Sequence, residues 1–227
     1  MDQKILSYIE LEKLFISHGY KLYMVGGTVR DYLLNKPLED MDVVTDATPE
    51  EMKVFLGDAN YHFAKFGSVT FKDNKKVKFD ITTLREENAY SDSRHPGEVK
   101  FVKDLNIDVK RRDFTINALY MSSDLKVIDL VNGQDDLNHN IIRMIGNPKD
   151  RIEEDPLRIL RALRFAAMLN FDIDDELSYA ITEEKELLLK LNPEKIKQEF
   201  YKVSTNKERF LALLSIYNIN SLLNVID

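Results

Sequence analysis

The run Asp40-Met41-Asp42-Val43-Val44-Thr45 holds two carboxylates one residue apart in an otherwise apolar, β-prone stretch. On a strand, residues i and i+2 project to the same face, roughly 7 Å apart at Cα. Like charges so placed repel unless cations lie between them, and two metal ions roughly 4 Å apart are what in-line phosphoryl transfer uses. A bare Asp-x-Asp is more often a solvated strand end, so its neighbours decide the reading. A third acid, Asp80 in Lys-Phe-Asp-Ile-Thr, alternates with apolar residues in the same way. If its strand lies beside the first, Asp80 joins the metal group; an edge residue facing water is the competing reading.

Upstream, Gly26-Gly27-Thr28 stands where a strand-like run gives way to a helix-like one. Glycines let backbone amides approach a triphosphate, and a helix N-terminus favours an anion, although a glycine pair is commonly a plain turn. Arg30, one turn later, offers a charge-assisted contact to phosphate. In KRRDFTINALYM, either Arg111 faces a nucleotide or the basic pair Arg111-Arg112 flanks a helix capped by Asp113. In EEDPLRILRALRF, Arg158, Arg161 and Arg164 recur every third residue along one slowly drifting helix face, available to phosphates, bases or solvent.

The elements that must position these groups change character along the chain. Residues 2–18 have helical periodicity, and strand-like runs follow: KLYMV, DMDVVT, SVTF, KVKFDITT, EVKFV and KVIDLV. Between them TVRDYLL and TPEEMKVFL read as helices, the second with a Thr cap and Pro at its first position. From Pro148 onward no strand is evident, and the predicted elements are helices separated by Asp, Asn and Pro. The expected organisation is a mixed α+β domain over 1–145, a helical segment over 146–205, and a further helical portion begun at 206–227 and running past the last residue.

Composition narrows the chemistry. The 227 residues contain no cysteine, which excludes disulfides, thiolate zinc sites and cysteine nucleophiles. The four histidines are scattered, so a metal would be held by oxygen, which favours magnesium, calcium or manganese. A net charge of −7 argues against coating nucleic acid by bulk charge; an RNA partner needs a local basic stripe. With no long apolar run and no signal-like N-terminus, a cytoplasmic protein with no membrane partner is expected, its oligomeric state unreadable.

Taken in order, GGTVRD…EDMDVVT, RRDFTINA and EDPLRILRALRF resemble the class II CCA-adding tRNA nucleotidyltransferases, within the poly(A) polymerase head-domain family. The resemblance spans about residues 20–170. It implies a polymerase-β-like nucleotidyltransferase head with a mixed sheet, then an all-helical neck and part of a body. It also implies two Mg2+ ions on Asp40 and Asp42, CTP and ATP as substrates, and the tRNA 3′ end as acceptor. Gly26, Gly27, Arg30 and Arg111 then belong to nucleotide binding, Asp155 and Arg158 to base reading, and Arg161 and Arg164 to further nucleotide contacts. A carboxylate only accepts and a guanidinium only donates, which suits the amino and ring-nitrogen edge of C and A and mispairs U and G.

The segment LREENAYSDSRHPGEVKFV resembles the family's flexible loop, with Arg85, Glu87 and Tyr90 in its Arg, acid, Tyr pattern; a full-length loop goes with addition of the terminal A. Lys195 stands where the neck motif usually has arginine and cannot reproduce a bidentate fork, which loosens the transfer of that motif, Glu199 included. An A-adding enzyme or bacterial poly(A) polymerase shares every motif, and a non-catalytic nucleotide- or RNA-binding fragment is the reading from another class.

Overall fold

A computed structural model of the chain describes residues 2–90 and 96–223, without the side chains of 87–90, 96–98 and 223. These residues form two compact units. Of the described residues, the first unit comprises 2–89, Gly97–Arg112 and Asn117–Gly133; the second comprises Tyr90, Pro96, Asp113–Ile116 and 134–223.

Unit 1 opens with α1 (Gln3–Ser17), whose Ile5, Tyr8, Leu11 and Phe15 are buried at helical spacing and whose N-cap Asp2 accepts from the Lys4 amide. There follow β1 (Leu22–Val25), α2 (Gly27–Leu33), β2 (Met41–Thr45), α3 (Pro49–Met52), β3 (Ser68–Lys72) and β4 (Lys78–Thr83). Next come β5 (Arg85–Tyr90), β6 (Pro96–Phe101), α4 (Leu105–Asp108), β7 (Tyr120–Met121) and β8 (Val127–Ile128). Six strands make one sheet in the order β3-β4-β2-β1-β7-β8. Only β2 and β4 run parallel; the other adjacent pairs are antiparallel, so the sheet is mixed, as expected for a nucleotidyltransferase head. Met41, Val43, Val44 and Thr45 are all buried, and Asp42 is the one exposed residue of β2. A strand apolar on both faces belongs at the centre of a covered sheet, and a carboxylate there is an exception that needs a reason.

Unit 2 is built from α5 (Gly133–Asn138), β9 (Ile141–Ile142), α6 (Pro148–Glu154), α7 (Leu157–Leu169), β10 (Asp172–Ile173), α8 (Asp175–Glu184), α9 (Pro193–Tyr201), α10 (Lys207–Ile216) and α11 (Ile219–Leu223). Helix α7 is buried nearly all round and ends where Asn170 turns left-handed at φ 58°. It packs on α9 and α10, where Phe200 and Phe210 meet edge to face at 5.1 Å.

The structure departs from the sequence expectations in three places. Helix α3 stops at Met52 after a single capping-box turn, short of the TPEEMKVFL run. RRDFTINALYM is no helix: it forms 3-10 turns at Val109–Arg111 and Thr115–Asn117 and ends in β7. The strand expected at EVKFV is β6, and it pairs with β5. Beyond Pro148 a strand does exist: β10 pairs in parallel with β9, which gathers residues 134–145 into unit 2 although composition changes only after them. A two-residue strand carries too little alternation to be seen in sequence.

Candidate active site

The parallel register of β2 on β4 sets Asp42 directly against Asp80. Asp40 lies just before β2, and the Lys78 ammonium joins it to Asp80, donating to Asp40 Oδ2 at 2.8 Å and Asp80 Oδ2 at 2.9 Å. Asp80 Oδ1 also accepts from Thr70 Oγ1 at 2.9 Å. The carboxyl of Asp42 is pushed up to about 6. Crowding by protein atoms is the first cause, and the negative charges of Asp80 and Asp40 add to it against Arg112 and Lys78. Because Asp42 remains open to solvent, its acidic neighbours are the more durable part of that rise.

The glycine pair adjoins these acids. Gly26 adopts φ +65° and ψ −130°, a region L side chains rarely enter, and its N–H donates to the Leu119 carbonyl at 3.3 Å. A Cβ on Gly27 would lie 3.7 Å from Asp42 Oδ2 and 3.6 Å from Arg30 Nη2. Arg30 is buried and already engaged: Nε and Nη2 donate to Asp31 at 2.9 and 3.0 Å, and Nη1 to Asn117 Oδ1 at 2.6 Å.

Sequence reasoning passed over the residue that organises the basic pair. Asp108 is fully buried and accepts from Arg111 Nε at 2.8 Å, Arg112 Nε at 3.0 Å, the Tyr120 hydroxyl at 2.9 Å and the Arg85 amide at 3.2 Å. Burial alone would raise its carboxyl, but the Arg112 and Arg111 charges outweigh it and hold the group at about 2. The signal was the spacing, an acid three and four residues before two arginines. Arg112 is the arginine whose charge acts on Asp42, and it lies 5.1 Å over the Tyr120 ring. Arg85 also donates Nη1 to the Phe66 carbonyl at 2.6 Å. Glu87 and Tyr90 lie on β5, with side chains outside the described residues, as is the stretch 91–95 of the same predicted loop.

The remaining expected site residues stand in unit 2. Asp155, between α6 and α7, accepts the Leu157 amide at 3.1 Å, as a helix start would. Arg158 is buried and donates Nη1 to Glu154 Oε2 at 3.0 Å and to the Arg151 carbonyl. Arg161 donates Nε to Asp113 Oδ2 at 2.8 Å, so Asp113 serves a partner 48 residues away as well as the Phe114 amide. Arg164 donates Nε to the buried Glu199 at 3.0 Å and lies 4.3 Å over the Phe165 ring; Lys202 reaches the same carboxylate at 2.6 Å. The three arginines thus share a helix but each has its own acid.

Residues 22–143 match the family model of the poly A polymerase head domain, more than half of the chain. The chain belongs to that family. Among curated relatives it is 43% identical over 185 residues to the CCA-adding enzyme of Lactobacillus helveticus, covering 82% of this chain and 46% of that one. It is 44% identical over 198 residues to the CCA-adding enzyme of Enterococcus faecalis, covering 86% and 48%. Among solved structures, the Bacillus stearothermophilus CCA-adding enzyme in complex with CTP superposes with a TM-score of 0.86 at 32% identity, covering 94% of this chain and 52% of that one. The Thermotoga maritima CCA-adding enzyme complexed with tRNA gives 0.78 at 26% identity, covering 98% and 53%. The chain spans about half the length of the curated relatives it matches.

The donor set suits the metal that the family implies. Carboxylate oxygens are the ligands of hard cations, and the Lys78 ammonium already bridges two of them as a stand-in. Among the described residues no three acidic or histidine side chains are grouped as a protein-only metal cage would need.

Proposed function

We propose that the chain is the catalytic portion of a template-independent RNA nucleotidyltransferase that adds C and A, from CTP and ATP, to the 3′ end of tRNA. The observation that carries this reading is Asp42 held in register against Asp80, with Asp40 two residues earlier, in a head-domain chain whose matched relatives are CCA-adding enzymes. In the reaction the acceptor 3′-oxygen bonds to the α-phosphorus, the bond to the β-phosphate oxygen breaks, and pyrophosphate leaves while the hydroxyl proton passes to solvent. Asp40 and Asp42, with Asp80 beside them, would hold two Mg2+ ions. Bound there, such ions would supply a lowered pKa at the attacking hydroxyl and positive charge for the phosphates.

The protein's own part is to supply charge and orientation. Asp42 must be ionised to accept a cation, so its upward-shifted carboxyl makes the acid side of the pH profile sensitive to it. Gly26 and Gly27 carry the backbone beside these acids with no side chain to obstruct a triphosphate, and Arg111 and Arg112 supply positive charge fixed by Asp108. In the neck, taken as 146–205, Asp155 is proposed to accept from the amino group of C or A and Arg158 to donate to the ring nitrogen; the Leu157 amide supports this by holding the Asp155 carboxylate. Arg161 and Arg164 would add nucleotide contacts, and Arg85, Glu87 and Tyr90 would serve terminal A addition. No helix among the described residues is long and apolar enough to cross a membrane, and a cytoplasmic location belongs to the same proposal.

The test incubates the protein with magnesium and tRNA lacking its 3′ CCA, supplying CTP and ATP singly and together, and resolves products at one-nucleotide resolution. Two additions with CTP and a third only when ATP is present are expected. A run of A without C makes it an A-adding enzyme or poly(A) polymerase. No incorporation even at saturating tRNA leaves a non-catalytic nucleotide- or RNA-binding module.

A further inference from the structure

The antiparallel ladder between β1 and β2 pairs Leu22 with Thr45, Tyr23 with Val44 and Met24 with Val43. At Gly26 the positive φ turns the chain out of β1 into α2, so β1 no longer runs alongside Asp42 and Asp40. The Thr28 side chain takes over there. Its Oγ1 accepts the Asp42 N–H at 2.8 Å and donates to the Asp40 carbonyl at 3.4 Å. Thr28 is 3% exposed, and its branched Cβ restricts the hydroxyl to few orientations. A single hydroxyl thus satisfies backbone groups of both aspartates and ties them to the helix that follows the glycine pair.

We propose, resting on the function argued above, that Thr28 is the positioning residue for the two metal-holding aspartates. By fixing the backbone on both sides of Met41 it sets the spacing at which the Asp40 and Asp42 carboxylates are presented. Groups that support metal ligands in this indirect way typically account for about 10–100-fold in affinity or activity, and a misplacement of about 1 Å at reacting groups can cost about 100-fold.

The experiment compares wild type, Thr28→Val, which keeps the shape but not the hydroxyl, and Thr28→Ser, which keeps the hydroxyl but not the methyl. Manganese affinity of the protein alone is measured by calorimetry, and CTP incorporation into tRNA lacking CCA is resolved into kcat and KM. Thr28→Val should weaken Mn2+ binding about tenfold and lower kcat about 10–100-fold with KM for CTP little changed, and Thr28→Ser should restore both. Wild-type Mn2+ affinity in Thr28→Val, or a Thr28→Ser no better than Thr28→Val, overturns the assignment. If Thr28→Val does not fold, Thr28→Ala, which also lacks the hydroxyl, takes its place under the same expectations. If wild type itself incorporates nothing, the proposed reaction falls, while the Mn2+ comparison still decides the role of Thr28.

Discussion

Replacing Asp108 by Asn removes one negative charge from a site where four side-chain or backbone donors converge, and the cost can be worked from the geometry. The carboxylate is fully buried, faces Arg111 and Arg112 at 2.8 and 2.9 Å, and is held at about 2 against an ordinary 3.8. At about 1.4 kcal/mol for each pH unit, that difference is worth roughly 2–3 kcal/mol. Asn also leaves two guanidinium groups short of their counter-ion, and breaking such a buried pair costs about 3–5 kcal/mol. A loss of about 3 kcal/mol at neutral pH is therefore expected, which in a chain of this size lowers Tm by roughly 6–12 °C. The acid limb supplies a second readout. A carboxylate held below its unfolded value stabilises the fold above that value, and the stabilisation is lost as pH falls from about 4 through about 2. Wild type should lose stability over that window, and the gap to Asp108→Asn should narrow. Urea denaturation of both proteins at pH 7 and at points down to pH 2.5 measures this. A penalty under about 1 kcal/mol at pH 7, or a gap that stays constant into acid, would refute the reasoning.

Two further outcomes follow from other charged groups. Asp42→Asn should abolish nucleotide incorporation yet raise Tm in EDTA at pH 7.5: a carboxyl shifted up to about 6 gives its full stability below its ordinary value and loses it as pH rises through about 6. Paired melts at pH 7.5 and pH 4 should therefore show the gain at the first and little at the second. Glu199→Gln strands the partly buried Arg164 and should cost about 3 kcal/mol, whereas Glu199→Leu with Arg164→Met, an apolar pair, should lie within about 1 kcal/mol of wild type; urea titrations of the three proteins decide.

How much of this was legible in the sequence depended on the range of the interaction. Asp42 and Asp80 announce themselves because each interrupts an apolar strand, and a strand pattern is local. That they lie opposite each other depends on a parallel register that no local pattern encodes. Asp113 shows the same limit: it reads as a cap and does accept the Phe114 amide, but its second oxygen serves Arg161, 48 residues on. The even spacing of Arg158, Arg161 and Arg164 is plain in the sequence, whereas their separate partners Glu154, Asp113 and Glu199 come from three different elements. Asp108 was missed although its partners are only three and four residues away, because its segment alternates short helical turns and has no steady period. Thr28 was visible as part of the glycine turn but not as a hydrogen-bond partner of β2, which required knowing where β1 ends.

The parallel pairing of β2 on β4 has a bearing on how the chain folds. The strands it joins are separated by α3 and β3, so the pairing forms only after a long segment has closed. It then sets two carboxylates opposite each other, where like charges oppose pairing. The Met41, Val43, Val44, Phe79 and Ile81 side chains, all essentially buried, have to hold the register against that repulsion. Millimolar magnesium present during refolding should therefore speed this late closure while leaving the earlier hairpin of β3 and β4 unaffected, so that the metal proposed for the site would also act as a helper in its assembly.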